Sequence, residues 1–117
     1  MNPEKRSEVR LLCADMLEIQ WRDPAAQVHH ATALLEDISG SGACLQLDAP
    51  LPLGVELRMK CRQRQFNGLV RYCVYREIGY FVGIEFAHES RWSPRTFRPQ
   101  HLLDLQWLAE TARRPGN

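Results

Sequence analysis

No stretch of this sequence approaches the ~18 consecutive apolar residues that a membrane-crossing helix needs, so no membrane insertion is expected. Closely spaced metal ligands are missing too. The four cysteines, Cys13, Cys44, Cys61 and Cys73, form no C-x-x-C pair and their wide, irregular spacing argues against a zinc site. They read as reduced, small residues of a core or barrel wall. His29 and His30 are neighbours in a strand-like segment, face opposite sides, and so do not converge on one metal. Neither sign of charge is in excess: the formal net charge is +1, which removes any global attraction to nucleic acid or anionic lipid. The first residues, Met1-Asn2-Pro3-Glu4-Lys5-Arg6, lead into charge rather than into the apolar core of a secretion signal, so the expected location is the cytoplasm. Enzyme signatures are likewise absent. Gly40-Ser41-Gly42 does not fall in a G-x-S-x-G frame, and the G-x-G at Gly40 lacks the third glycine of a dinucleotide fingerprint and runs into a strand pattern. No catalytic residue, metal or cofactor is expected.

What is present is a period of two. The 117 residues suit one domain with one core, and 44% apolar with 25% charged residues is the make-up of an ordinary globular chain. From Arg10 to Trp21, Leu11, Cys13, Leu17, Ile19 and Trp21 share one parity, interrupted by Asp15, until Asp23-Pro24 ends the run. Val28 to Leu35 is the next expected strand, followed by a short one over 43–47. Val55, Leu57, Met59 and Cys61 then alternate with Glu56, Arg58, Lys60 and Arg62, a strand with a solvated charged face. Phe66 to Tyr75, with a bulge or bend expected at Gly68, turns at Glu77-Ile78-Gly79 into Tyr80 to Phe86. Short turns and no intervening helix imply antiparallel order, and closing such a sheet removes its edges. The expected fold is mainly β, a six-stranded antiparallel barrel. After a basic linker over 91–99, Leu102, Leu105, Leu108, Ala109 and Ala112 recur at helical spacing behind Pro99, which predicts a C-terminal helix at about 99–113 packed on the barrel.

Two segments stand out chemically. Asp37-Ile38-Ser39-Gly40-Ser41-Gly42 lies between strand patterns and reads as a tight connection. Its glycines allow positive φ and close approach of a ligand, and its Asp and Ser suit hydrogen bonding to a flat polar group such as a guanine edge. A turn in which Asp and Ser bond only their own backbone would have the same composition. The second segment, Lys5-Arg6-Ser7-Glu8-Val9-Arg10, places arginines four apart just before the first strand.

Together, R-x-x-x-R at Arg6 and Arg10 and D-x-S-x-x-G at Asp37, Ser39 and Gly42 resemble the PilZ domain, a bacterial receptor for the second messenger cyclic di-GMP. The resemblance runs from Lys5 through nearly the whole chain and implies the barrel-plus-helix fold. It implies that Arg6 and Arg10 hold phosphates and guanine, while Asp37, Ser39 and Gly42 surround the other side of the base. Many members begin the motif with two adjacent arginines; here the first is Lys5, which keeps the charge without the planar fork, so either one or two ligand molecules fit the pattern. Arg71 and Tyr72 are further candidates, for a phosphate and for stacking. On this reading residues 1–10 are a ligand-clamping segment and residues 11–117 the barrel domain with its helix. The protein is then a monomeric or weakly dimeric, non-enzymatic receptor that reports second-messenger level to another protein. Outputs of the family include motility, pili, biofilm exopolysaccharide and virulence. The competing expectation is an adaptor of the same fold that has lost the nucleotide.

Overall fold

A computed structural model describes residues 10–93 and the backbone of 103–104. Six strands follow one another: β1 (Leu11–Arg22), β2 (Val28–Ile38), β3 (Gly42–Leu47), β4 (Glu56–Cys61), β5 (Arg64–Arg76) and β6 (Gly79–Phe86). All pairings are antiparallel, in the order β2-β3-β6-β5-β4-β1, and β1 returns to pair with β2, which closes the barrel. The closed mainly-β fold read from the alternation is therefore the one adopted.

The alternation sorts the chain into wall and core. In β4 the pattern is strict: Leu57, Met59 and Cys61 are buried while Glu56, Arg58 and Lys60 are exposed. With Ile19, Leu45, Val70 and Val82 these residues fill the barrel, and Trp92 joins the same cluster from beyond β6. Burial of such side chains contributes about 1.5–3 kcal/mol each relative to exposure.

Several details differ from the sequence reading. Asp15 does not interrupt the inward row of β1: it belongs to it, only 4% exposed. It lies beside the Cys61 thiol, and the Arg62 guanidinium donates to its Oδ2 at 3.3 Å. Arg62 sits in the two-residue β4–β5 hairpin with φ +56°, a conformation disfavoured for residues with a Cβ. The bulge expected at Gly68 falls instead between Val70 and Tyr72, against β6. Gly68 serves close packing, since a Cβ there would lie 2.6 Å from the Glu85 carbonyl oxygen.

The strand β2 runs on past Leu35 to Ile38, so Asp37 belongs to a strand and the connection proper is three residues, 39–41. Neither Gly40 nor Gly42 has positive φ; among the described glycines that conformation occurs at Gly54 and Gly79. Finally, Leu103–Asp104 form a short strand β7 paired with Leu11 and Leu12 of β1. An unbroken helix over 99–113 is thus not what these two residues show. The remainder of that prediction lies outside the described residues.

Candidate functional site

Register places the site. Asp37 of β2 pairs with Cys44 of β3, Cys44 with Gly83 of β6, and Gly83 with Tyr72 of β5. These residues form one row across the outer wall of the barrel. Arg10, immediately before β1, reaches the Asp37 end of that row, with its Nε 3.9 Å from Asp37 Oδ1.

Each member is placed by a local cause. Gly83 has no side chain because the Tyr72 ring lies on it: a Cβ there would stand 1.9 Å from the ring. The Val70–Tyr72 bulge turns the Tyr72 side chain onto that outer face. Its hydroxyl bonds the Cys44 thiol, and burial followed by this bond pushes the phenol up from its ordinary value. Burial also raises the Cys44 thiol. Asp37 accepts the Cys44 backbone N–H, yet burial outweighs both that bond and the Arg10 charge and holds its carboxyl above the ordinary carboxylate range. At 3.9 Å the Arg10 contact is Coulombic and not a hydrogen bond. Among the described residues Asp37 Oδ1 accordingly has no hydrogen-bond partner. A carboxylate oxygen without a partner, at the mouth of an arginine, is a ready acceptor.

Ser39 and Gly42 play different parts. The Ser39 N–H and hydroxyl both donate to the Gly42 carbonyl, at 2.8 and 3.3 Å, so Ser39 spends its bonds on its own turn as the alternative reading foresaw, whereas Asp37 does not. Gly42 is required by β6: a Cβ would lie 2.2 Å from the Ile84 carbonyl oxygen. The turn is tied down elsewhere as well, because Phe86 N–H donates to Ser41 O at 2.7 Å and Trp92 N–H to Gly40 O at 3.0 Å. Arg71, in the bulge, is ion-paired with Glu85, and Glu85 is the register partner of Gly42. Arg71 and Tyr72 are therefore on the same wall as Asp37. Arg6 and Lys5 lie outside the described residues.

Sequence reasoning missed Cys44 and Gly83 as parts of this row. The parity change at the 70–72 bulge hid the alignment of Gly83 with Tyr72, and no alternation pattern reveals a bulge of that kind. Among the described residues no group of three or more His, Cys, Asp or Glu side chains is placed to hold a metal ion. No helix among them is long and apolar enough to cross a membrane.

The row begins at Asp37, the first residue of D-x-S-x-x-G, with the last arginine of R-x-x-x-R beside it. The family model for the PilZ domain matches residues 4–95. The chain belongs to the PilZ family. No curated protein sequence matches it. PilZ domains form a receptor family for cyclic di-GMP and are binding modules rather than enzymes. In this PilZ domain the D-x-S-x-x-G segment is thus a carboxylate and a self-bonded turn, with the Tyr72 ring on the same wall.

Proposed function

We propose that this protein is a cyclic di-GMP receptor in which Arg6 and Arg10 hold the ligand over the outer wall at Asp37. The observation that supports this most is the Asp37 carboxylate, which keeps one oxygen without a hydrogen bond from any described residue although buried and next to Arg10. A guanine edge offers adjacent N1–H and N2–H donors that such an oxygen accepts. Arginine forks suit both the phosphodiester oxygens and the guanine Hoogsteen edge. Ser39 and Gly42 shape the bend beside the base. The Tyr72 ring supplies a flat apolar surface at the other end of the row, and Arg71 and Lys5 add positive charge for the phosphates.

In this reading binding draws residues 1–10 onto the barrel and so presents a new surface to a downstream protein in the bacterial cytoplasm. Motility, biofilm, pili and virulence are the outputs the family suggests. Isothermal titration with cyclic di-GMP tests the receptor reading directly. Saturable binding, weakened about tenfold or more by Arg10→Ala through the loss of one charge-assisted contact, is the expected result. Absence of binding to the unsubstituted protein would leave an adaptor that works through protein contacts alone.

A further inference from the structure

Register sets a second pair of residues beside the Asp37–Tyr72 row. Gly42 of β3 faces Glu85 of β6, and Glu85 faces Leu69 of β5 on its other side. Neither neighbour carries a charge, and Gly42 has no side chain, so the exposed Glu85 borders the D-x-S-x-x-G bend directly. The bulge in β5 sets Arg71 and Tyr72 together against Gly83, which turns both side chains onto this wall. There they diverge. Tyr72 stays in the row with its ring on Gly83. Arg71 is drawn out of the row, its Nε donating to Glu85 Oε1.

Both cations described at the row thus stand against a carboxylate, Arg10 against Asp37 and Arg71 against Glu85. A ligand with two phosphodiester charges laid over the row requires a cation that is already taken. The Arg71–Glu85 pair opens at little cost, because both side chains are more than half exposed and ion pairs so placed contribute little. It also uses one N–H of the guanidinium, whereas a phosphodiester can accept from two in parallel. The phosphate is therefore the stronger partner, and the carboxylate its like-charged rival. We propose that Glu85 sets the affinity of the nucleotide site by competition: it holds Arg71 off the row in the free protein, and a ligand phosphate must displace it. On the cyclic di-GMP reading above, on which this rests, Glu85 works against binding and raises the concentration at which the receptor fills.

Isothermal titration of the full chain with cyclic di-GMP, begun on the unsubstituted protein, tests this. Arg71→Gln is expected to weaken binding about fivefold or more. Glu85→Gln is expected to tighten it by roughly three- to fivefold, and by less as salt is raised. The two partners of one ion pair then move affinity in opposite directions, whereas a pair that only supported the barrel would move it the same way from either side. Glu56→Gln removes an exposed carboxylate of the same wall, across Leu69 from Glu85. It should shift Kd by less than about twofold, which separates local competition from a change in net charge. All three side chains are exposed, so circular dichroism should be unchanged. A Glu85→Gln variant that binds no tighter than the unsubstituted chain overturns the proposal. So does Arg71→Gln at unchanged affinity, or equal tightening by Glu56→Gln. Failure of the unsubstituted chain to bind removes the receptor reading and this competition together; binding without an effect at Glu85 removes the competition alone.

Discussion

Replacing Asp37 by Asn is expected to move stability and affinity in opposite directions. In the nucleotide-free protein the carboxylate is 16% exposed, and burial outweighs its favourable contacts, so its pKa is raised. The sign follows from linkage. A group whose folded pKa exceeds the unfolded one favours folding fully below the unfolded value, and that contribution is lost as pH rises through the folded pKa. At neutral pH the ionised Asp37 is therefore a net burden on the fold. Its attraction to Arg10 does not offset this: unit charges near 4 Å are worth about 1 kcal/mol in water, and Arg10 is more than half exposed. Asp37→Asn should leave the melting temperature of the free protein unchanged or raise it by a few degrees, since about 1 kcal/mol corresponds to roughly 4–8 °C in a domain of this size. The rise should vanish at pH values where Asp37 is protonated. On the proposed reading, in which Asp37 accepts from the two guanine donors, the same substitution costs about 1.5–3 kcal/mol of affinity for cyclic di-GMP, or roughly ten- to a hundredfold in Kd. Differential scanning calorimetry and isothermal titration measure the two quantities on one sample. A melting temperature lowered by more than about 4 °C would show the carboxylate to be structural. An unchanged Kd would remove it from base recognition.

Gly83→Ala should drive the Tyr72 ring off the wall, because the new Cβ would stand 1.9 Å from it. The expected loss is about 1–3 kcal/mol, read by urea unfolding, with a change in tyrosine fluorescence. Arg62→Gly relieves a positive φ but deprives the buried Asp15 carboxylate of its 3.3 Å donor. Because an under-satisfied buried charge outweighs backbone relief of about 1 kcal/mol, the variant should be less stable, and a gain in stability would contradict that balance. Thiol labelling in the native state should reach half-buried Cys73 first. Cys13 should be slowest, since burial, followed by the nearby Asp37 and Asp15 charges, lifts its pKa to about 12. Labelling of Cys13 ahead of Cys73, read by mass spectrometry of the peptides, would contradict this order.

Much of the barrel could be read from alternation because each strand buries one face only. β4 and β6 gave their inward rows directly, and Leu57, Met59 and Cys61 are all where parity put them. Parity failed where polarity and position disagreed. Asp15 reads as a break because a carboxylate in a barrel interior is costly. The remote Cys61 and Arg62, brought to it by the β1–β4 pairing, lower that cost, and no local pattern announces them. The Asp37–Gly42 stretch was legible as a tight connection between strands, but its glycines were misread as conformational devices. Gly42 is fixed by the Ile84 carbonyl, a contact distant in sequence. Leu103 and Asp104 fall inside the segment expected to be helical, yet they pair with β1 as a strand, a tertiary partner overriding local period.

The 39–41 connection is held at three separate main-chain points: Ser39 to Gly42, Ser41 to Phe86, and Gly40 to Trp92. Its length is therefore under tighter constraint than its chemistry. A chain one residue longer or shorter here would misalign all three anchors together and shift Asp37 relative to Tyr72. Nucleotide preference in such a scaffold would have to evolve by exchanging side chains along the row, because the loop itself has no slack for insertions or deletions.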